Sequence, residues 1–192
     1  MYKLTIQQKK YEYPEKTTFL EIAKQFQQQY KDDIVLVLFN NRLRELSKEV
    51  TADGTLDFVT TMDKDGKKAY RRSVTLLMQR AVYDLAKKSG KTTGVKVLHS
   101  IGQAYYCELE GNQAATEEYL TELKAEMLRI VEEKRPINKQ SIHTEDAVKL
   151  FAQLGMNDKE KLFRYRRSSQ MNIYSIGNYT DYFYGYMVPD TG

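Results

Sequence analysis

Four short constellations in this chain carry side chains able to do chemistry. Ser89-Gly90-Lys91-Thr92 has the glycine, lysine and hydroxyl that end a phosphate-binding loop, in which backbone N–H groups cradle phosphates while Lys and Thr reach phosphate and magnesium. Its spacing argues against that use, because the position that should hold the loop's first glycine is Leu85, inside a helical pattern. His99, Cys107 and His143 are the soft metal ligands, and a zinc site needs all three together or an added carboxylate, so no metal is expected. Cys107 with His99 across a hairpin would make a nucleophile and base. The same cysteine also reads as a small apolar residue on a strand.

Arginine supplies the fourth constellation. Arg164, Arg166 and Arg167 surround Tyr165, a grouping that can fork onto phosphate and stack a base on the ring, and Arg71 with Arg72 adds a second basic pair. Solvated or interdomain ion pairing is the alternative for both. The tyrosines at 105, 106, 182, 184 and 186 fit strand-pair and core packing, or the lining of a cavity.

Composition narrows the classes. The 192 residues are 41% apolar, enough for two small packed domains, and 30 Lys plus Arg against 26 Asp plus Glu leave +4, too small an excess to imply nucleic-acid binding by itself. One cysteine excludes an intrachain disulfide. No run of about 18 apolar residues suits a membrane span, and MYKLTIQQKKYEY alternates instead of forming a signal peptide's apolar stretch. A soluble cytoplasmic protein is expected.

These residues need elements to hold them. Tyr2, Leu4 and Ile6 alternate with polar residues and a second short strand near Tyr11 and Tyr13 completes a hairpin. Thr18 and Glu21 fit a capping box for a helix bearing Phe19, Ile22, Ala23, Phe26 and Tyr30 and ending near Asp32. Ile34–Phe39 reads as a buried strand, Asn40-Asn41 as a turn, Leu43 and Leu46 as a brief edge strand, and Leu56–Val59 as a last strand. This ββαβββ order predicts a β-grasp domain over 1–62, with Asp63–Lys68 as linker.

Over 69–192 the pattern predicts an α+β domain with an antiparallel sheet. Val74, Leu77, Met78, Ala81 and Leu85 mark a helix stopped near Gly90, before strands at Val95–Ile101 and Ala104–Leu109. Thr116 caps a long helix whose apolar face is Leu120, Leu123, Met127 and Ile130. A strand at Ile137–Ile142, a helix at Thr144–Leu154, a short helix capped by Asn157, and strands at Met171–Ile176 and Tyr179–Tyr184 follow. Pro189 should bar further pairing, and Asp190–Gly192 should turn, an ending that reads as the middle of a longer protein.

Residues 1–60 resemble a TGS domain, the β-grasp module of threonyl-tRNA synthetases and stringent-response enzymes. The runs YRRSVTLLMQRAV, AYYCEL, TEEYLTELKAEMLRIVEEKRPINKQSIHTEDAVKLFAQLG and YTDYFYGYMVPDTG resemble the second N-terminal domain of threonyl-tRNA synthetases, which hydrolyses mischarged tRNA. The resemblance implies an editing site of an HxxxH pair on the first helix and a CxxxH pair near the end. Here those positions are Arg72 and Leu76, and Phe183 and Met187. Leu and Phe can neither ligate a metal nor move a proton, and Arg stays protonated, so the resemblance implies a fold without catalytic residues.

LFRYRRSS with DYFYGYMVPDTG further resembles the N-terminal half of bacterial uridine kinase-like proteins. That resemblance implies a non-catalytic regulatory or ligand-binding region, with no cofactor of its own. Its partner would be a C-terminal nucleoside kinase domain using ATP and magnesium beyond Gly192. A degenerate cleft of Arg72, Leu76, His99, Tyr182, Phe183, Tyr184 and Met187 would hold a nucleoside or nucleotide. The alternative is a tRNA- or RNA-binding module contacting phosphate through Arg71, Arg72, Arg164, Arg166 and Arg167, without deacylase activity. A hydrolase using Cys107 and His99 ranks last.

Overall fold

The computed structural model describes residues 1–89, 94–102 and 104–192. Its contacts divide it into two compact units, one of Met1–Ile137 with Gly185–Gly192 and the other of Asn138–Tyr184. The fold class is α+β.

The first unit opens with β1 (Tyr2–Ile6), β2 (Lys9–Tyr13), α1 (Phe19–Phe26), β3 (Ile34–Phe39), β4 (Arg42–Glu45) and β5 (Gly54–Thr60). Their sheet order is β2-β1-β5-β3-β4, with β1 parallel to β5 and every other pair antiparallel, which is β-grasp topology. Left-handed backbone at Gln7-Gln8 and at Asn40-Asn41 closes its two tight hairpins, the asparagines being among the residues that tolerate that region best. The capping box forms as expected, with Thr18 N donating to Glu21 and Glu21 N donating back to Thr18. Leu4, Ile6, Phe19, Ile22, Phe26, Val37, Phe39 and Leu56 share the core beneath α1.

The first helix ends earlier than its apolar periodicity suggests. Gln27 accepts the Ile34 N–H at 2.9 Å and donates to the Asp32 carbonyl, so the chain tightens into a 3₁₀ turn at Gln27–Gln29 and Tyr30 is extended. A larger departure is the expected linker. Helix α2 runs Lys64–Ser89, so all of 64–68 is helical. Thr60 N donates to the Asp63 carboxylate at 2.7 Å, which folds the strand end straight into the helix, and Gly66 is buried against the Thr60 carbonyl with no room for a Cβ. Charge and glycine here serve a tight strand-to-helix junction.

Strands β6 (Val95–Ile101) and β7 (Ala104–Leu109) form a hairpin of their own. Helix α3 (Glu117–Glu132) is capped by Thr116, as expected. Its buried face is Tyr119, Leu123, Glu126 and Ile130, whereas Leu120 is 52% exposed and Met127 half-buried. The reason is an ion cluster that draws Glu126 inward.

In the second unit, β8 (Ile137–His143, its first residue counted with the other unit), β9 (Gln170–Ile176) and β10 (Tyr179–Tyr182) make an antiparallel-edged sheet in the order β10-β9-β8. Helices α4 (Thr144–Gln153) and α5 (Asn157–Arg164) pack on it through Ala147, Phe151, Phe163, Met171 and Ile173. Met156, not Asn157, is the N-cap of α5, and β10 stops at Tyr182, two residues short of expectation. Among the described residues no helix is long and apolar enough to cross a membrane.

Candidate functional site

The first two candidate positions lie one turn apart on α2. Arg72 Nη1 donates to the Tyr186 carbonyl oxygen at 2.6 Å, and Gly185 sits so close that a Cβ there would lie 2.6 Å from the Arg72 guanidinium carbon. Gly185 has φ +119, which glycine alone adopts readily. Next along the helix, Ser73 Oγ accepts the Val188 N–H at 3.0 Å and lies 3.3 Å from Met187 Sδ. Glu45 at the end of β4 accepts the Met187 N–H at 3.1 Å. The tail's Tyr186 and Val188, both half-buried, then pack against Val35, Leu36, Val59 and Ala69.

Residues 185–192 are therefore clamped between the β-grasp sheet and α2. The clamp continues past Pro189. That proline was expected to end all pairing, but its carbonyl accepts the Ile137 N–H at 2.9 Å, Pro136 bridges Asp190, and Thr191 N donates to the Arg135 carbonyl. Proline lacks only a donor, and here an acceptor is required.

This arrangement tells what the candidate positions do in the fold. Leu76 is 0% exposed and Met187 2%, so neither offers surface to a ligand, and Arg72 spends a guanidinium donor on a backbone carbonyl. His99 lies in the same unit on the exposed hairpin, stacked on Tyr106 at 5.1 Å between ring centres. Tyr182, Phe183 and Tyr184 belong to the other unit. There Tyr182 packs edge-on against Phe163 at 5.0 Å, Phe183 is half-buried, and Tyr184 is exposed. A cleft of about 170 Å³ lies at the end of α2, beside Leu85, Lys88, Tyr119 and Glu122.

The Cys107–His99 pairing does not form. A register shift between Val97 and His99 sets Val97 opposite Cys107 and His99 opposite Tyr106. Since Tyr106 and Cys107 are neighbours on one strand, their partners point to opposite faces of the hairpin. Burial also pushes the Cys107 thiol up, away from the nucleophilic thiolate. Among the described residues no group of three His, Cys, Asp or Glu is placed to hold a metal. The Ser89–Thr92 motif lies mostly outside the described residues, with Ser89 closing α2.

The arginine candidates divide between the units. Arg71 is exposed on α2 beside Arg72. In the second unit Arg164 pairs with Glu160, its Nε 2.9 Å from the carboxylate, and Arg166 lies over the Tyr182 ring at 5.1 Å and bonds its hydroxyl. Tyr165 between them is 88% exposed, and Arg167 is exposed.

Residue type and spacing do not single out several polar positions that the structure uses. Glu45 and Ser73 hold the tail. Glu126 receives Arg129 at 2.7 Å and Lys88 at 2.7 Å, one on each carboxylate oxygen, and the Arg129 bond in particular holds its carboxyl down at about 2 against the opposing effect of burial. Arg80 and Asp84 pair at 2.8 Å, with Arg129 reaching Asp84 at 3.9 Å. In the second unit Asp181, 1% exposed, is ion-paired with Lys159. A charged residue inside an apolar pattern was the only signal for either acid.

No protein-family model matches the chain. It is similar to the threonine–tRNA ligase of Symbiobacterium thermophilum, 30% identical over 182 residues, which is 94% of this chain and 27% of that enzyme. With the ligase of Carboxydothermus hydrogenoformans it is 29% identical over 182 residues, or 94% of the chain and 28% of the enzyme. With that of Methylococcus capsulatus the figures are 30% over 154 residues, 80% and 24%. The chain thus spans about a quarter of the length of these relatives, and over nearly all of its own length it is threonyl-tRNA synthetase-like.

Proposed function

We propose that residues 1–192 are a cytoplasmic, synthetase-derived RNA-binding module, a TGS domain (1–62) followed by a degenerate editing-like domain (69–192), without deacylase activity of its own. The observation that carries it is the similarity to threonine–tRNA ligases over 94% of the chain. That similarity supports a synthetase-derived module over a regulatory appendage to an ATP- and magnesium-dependent uridine kinase. β-grasp topology in residues 2–60 supports the TGS assignment.

Loss of catalysis is supported by what replaces the family's reactive positions. Arg72 holds the tail, Leu76 and Met187 are core, and Phe183 has no titratable atom. Without a proton carrier or metal ligand at those places, attack of water on an ester has no general base. Phosphate contact falls to the arginines, and affinity from such contacts depends on salt.

The test is to incubate the purified chain with seryl-tRNA at low salt and follow both retention of the RNA and survival of the ester. Binding with the ester intact at the uncatalysed rate is expected. Hydrolysis well above background, or no retention at all, contradicts the reading.

A further inference from the structure

The exposed segment after α5 has a feature that general phosphate attraction does not use. Tyr165 leaves 88% of its surface in water, more than any other large apolar or aromatic side chain among the described residues. A ring so exposed usually sits on a frayed loop, but this backbone is fixed on both sides. Before it, α5 packs through Phe163 onto Phe151 and Tyr182. After it, Arg166 N donates to the Phe163 carbonyl at 3.1 Å, and the Arg166 guanidinium is held over Tyr182. Thr144 N then donates to the Ser169 carbonyl at 3.1 Å, and its hydroxyl bonds the Ser168 carbonyl.

The neighbouring arginines are not equivalent either. Arg164 is occupied by Glu160 and Arg166 by Tyr182, whereas Arg167 is exposed. We infer that Tyr165 and Arg167 form a single-stranded RNA subsite, Tyr165 stacking on one unpaired base and Arg167 meeting the adjoining phosphate, with Arg166 as a positioning residue. A flat ring on a fixed backbone accepts any base face at little ordering cost, and it cannot reach a base stacked inside a duplex. This rests on the RNA-binding reading above and narrows it to unpaired nucleotides.

Anisotropy of a labelled single-stranded RNA of about eight nucleotides, with a blunt duplex of the same sequence as comparison, tests it on the full chain. Tyr165→Ala should weaken single-strand binding about 5- to 150-fold, the usual worth of one stacked base, while Tyr165→Phe binds normally. Arg167→Ala should lower the slope of log affinity against log salt by about 0.7. Since Tyr165 is exposed, both variants should fold, and circular dichroism confirms that. Single-strand binding that Tyr165→Ala leaves unchanged, or a duplex bound equally well, overturns this subsite alone. Absence of RNA binding by the unmodified chain overturns the reading beneath it.

Discussion

Arg72 Nη1 and the Tyr186 carbonyl oxygen stand 2.6 Å apart across 114 residues of sequence, so a side chain of α2 closes on the backbone of the C-terminal tail. The bond uses a charged donor and is partly buried, conditions under which it contributes about 1.5–3 kcal/mol. Gly185 makes room for it.

The first prediction concerns that closure. Gly185→Ala places a methyl group 2.6 Å from the Arg72 guanidinium carbon on a backbone with φ +119. It should destabilise the chain by about 1–3 kcal/mol in urea unfolding. In an Arg72→Ala background the steric part disappears, so the two changes should be less than additive. Full additivity would show that the contact does not hold the tail.

A second prediction separates a linker from a junction at 63–68. Gly66→Ala drives a Cβ onto the Thr60 carbonyl, with the Val35 side chain at 3.3 Å behind it, and should cost about 2 kcal/mol or more by midpoint shift. A flexible linker would gain about 0.4–1 kcal/mol from the same change, because alanine narrows the unfolded ensemble. The signs are opposite.

Acid sensitivity should trace to Glu126. Its carboxyl titrates at about 2 in the folded chain against 4.5 ordinarily, chiefly because Arg129 bonds the ionised form. A depressed carboxylate pKa stabilises the fold above the ordinary value, and that contribution drains away as pH falls from about 4.5 toward 2. Both cationic partners are partly exposed, so about 1–2 kcal/mol is expected. Glu126→Gln should lower stability at pH 7 and flatten the acid limb, as chemical denaturation across that range will show.

Asp181 offers a matching test in the second unit. Asp181→Asn leaves Lys159 facing a neutral partner at a buried site and should cost about 3 kcal/mol or more. Asp181→Asn combined with Lys159→Met should recover part of the loss, because the stranded charge is gone. If the double variant is no better than the single one, the ion pair is not the source of the penalty.

Much of this was legible in the residues. Alternating Tyr2, Leu4 and Ile6, the Thr18–Glu21 box, the Ile34–Phe39 run and the Thr116 cap are local signals, and each formed its element. The misses have a common cause, since each depends on a specific side-chain contact, some local and some distant in sequence, that residue type and periodicity do not announce. Asp63–Lys68 reads as solvent-loving until Thr60 turns back onto Asp63, and the α3 face rotates because Arg129 and Lys88 draw Glu126 inward. Likewise Arg72, Leu76, Phe183 and Met187 could be singled out in the sequence, but the tail contacts of Arg72 and the burial of Met187 could not, because Tyr186, Glu45 and Ser73 supply them from elsewhere.

RNA binding through phosphate contacts and unpaired bases predicts an affinity for tRNA that depends on salt. The most direct measurement is a titration of the 192-residue chain with tRNA between roughly 50 and 200 mM salt, where neutralising about two or three phosphates lowers affinity about tenfold or more. Binding at low salt that weakens in this way is the predicted result. No binding at 50 mM salt, or an affinity indifferent to salt, would contradict it.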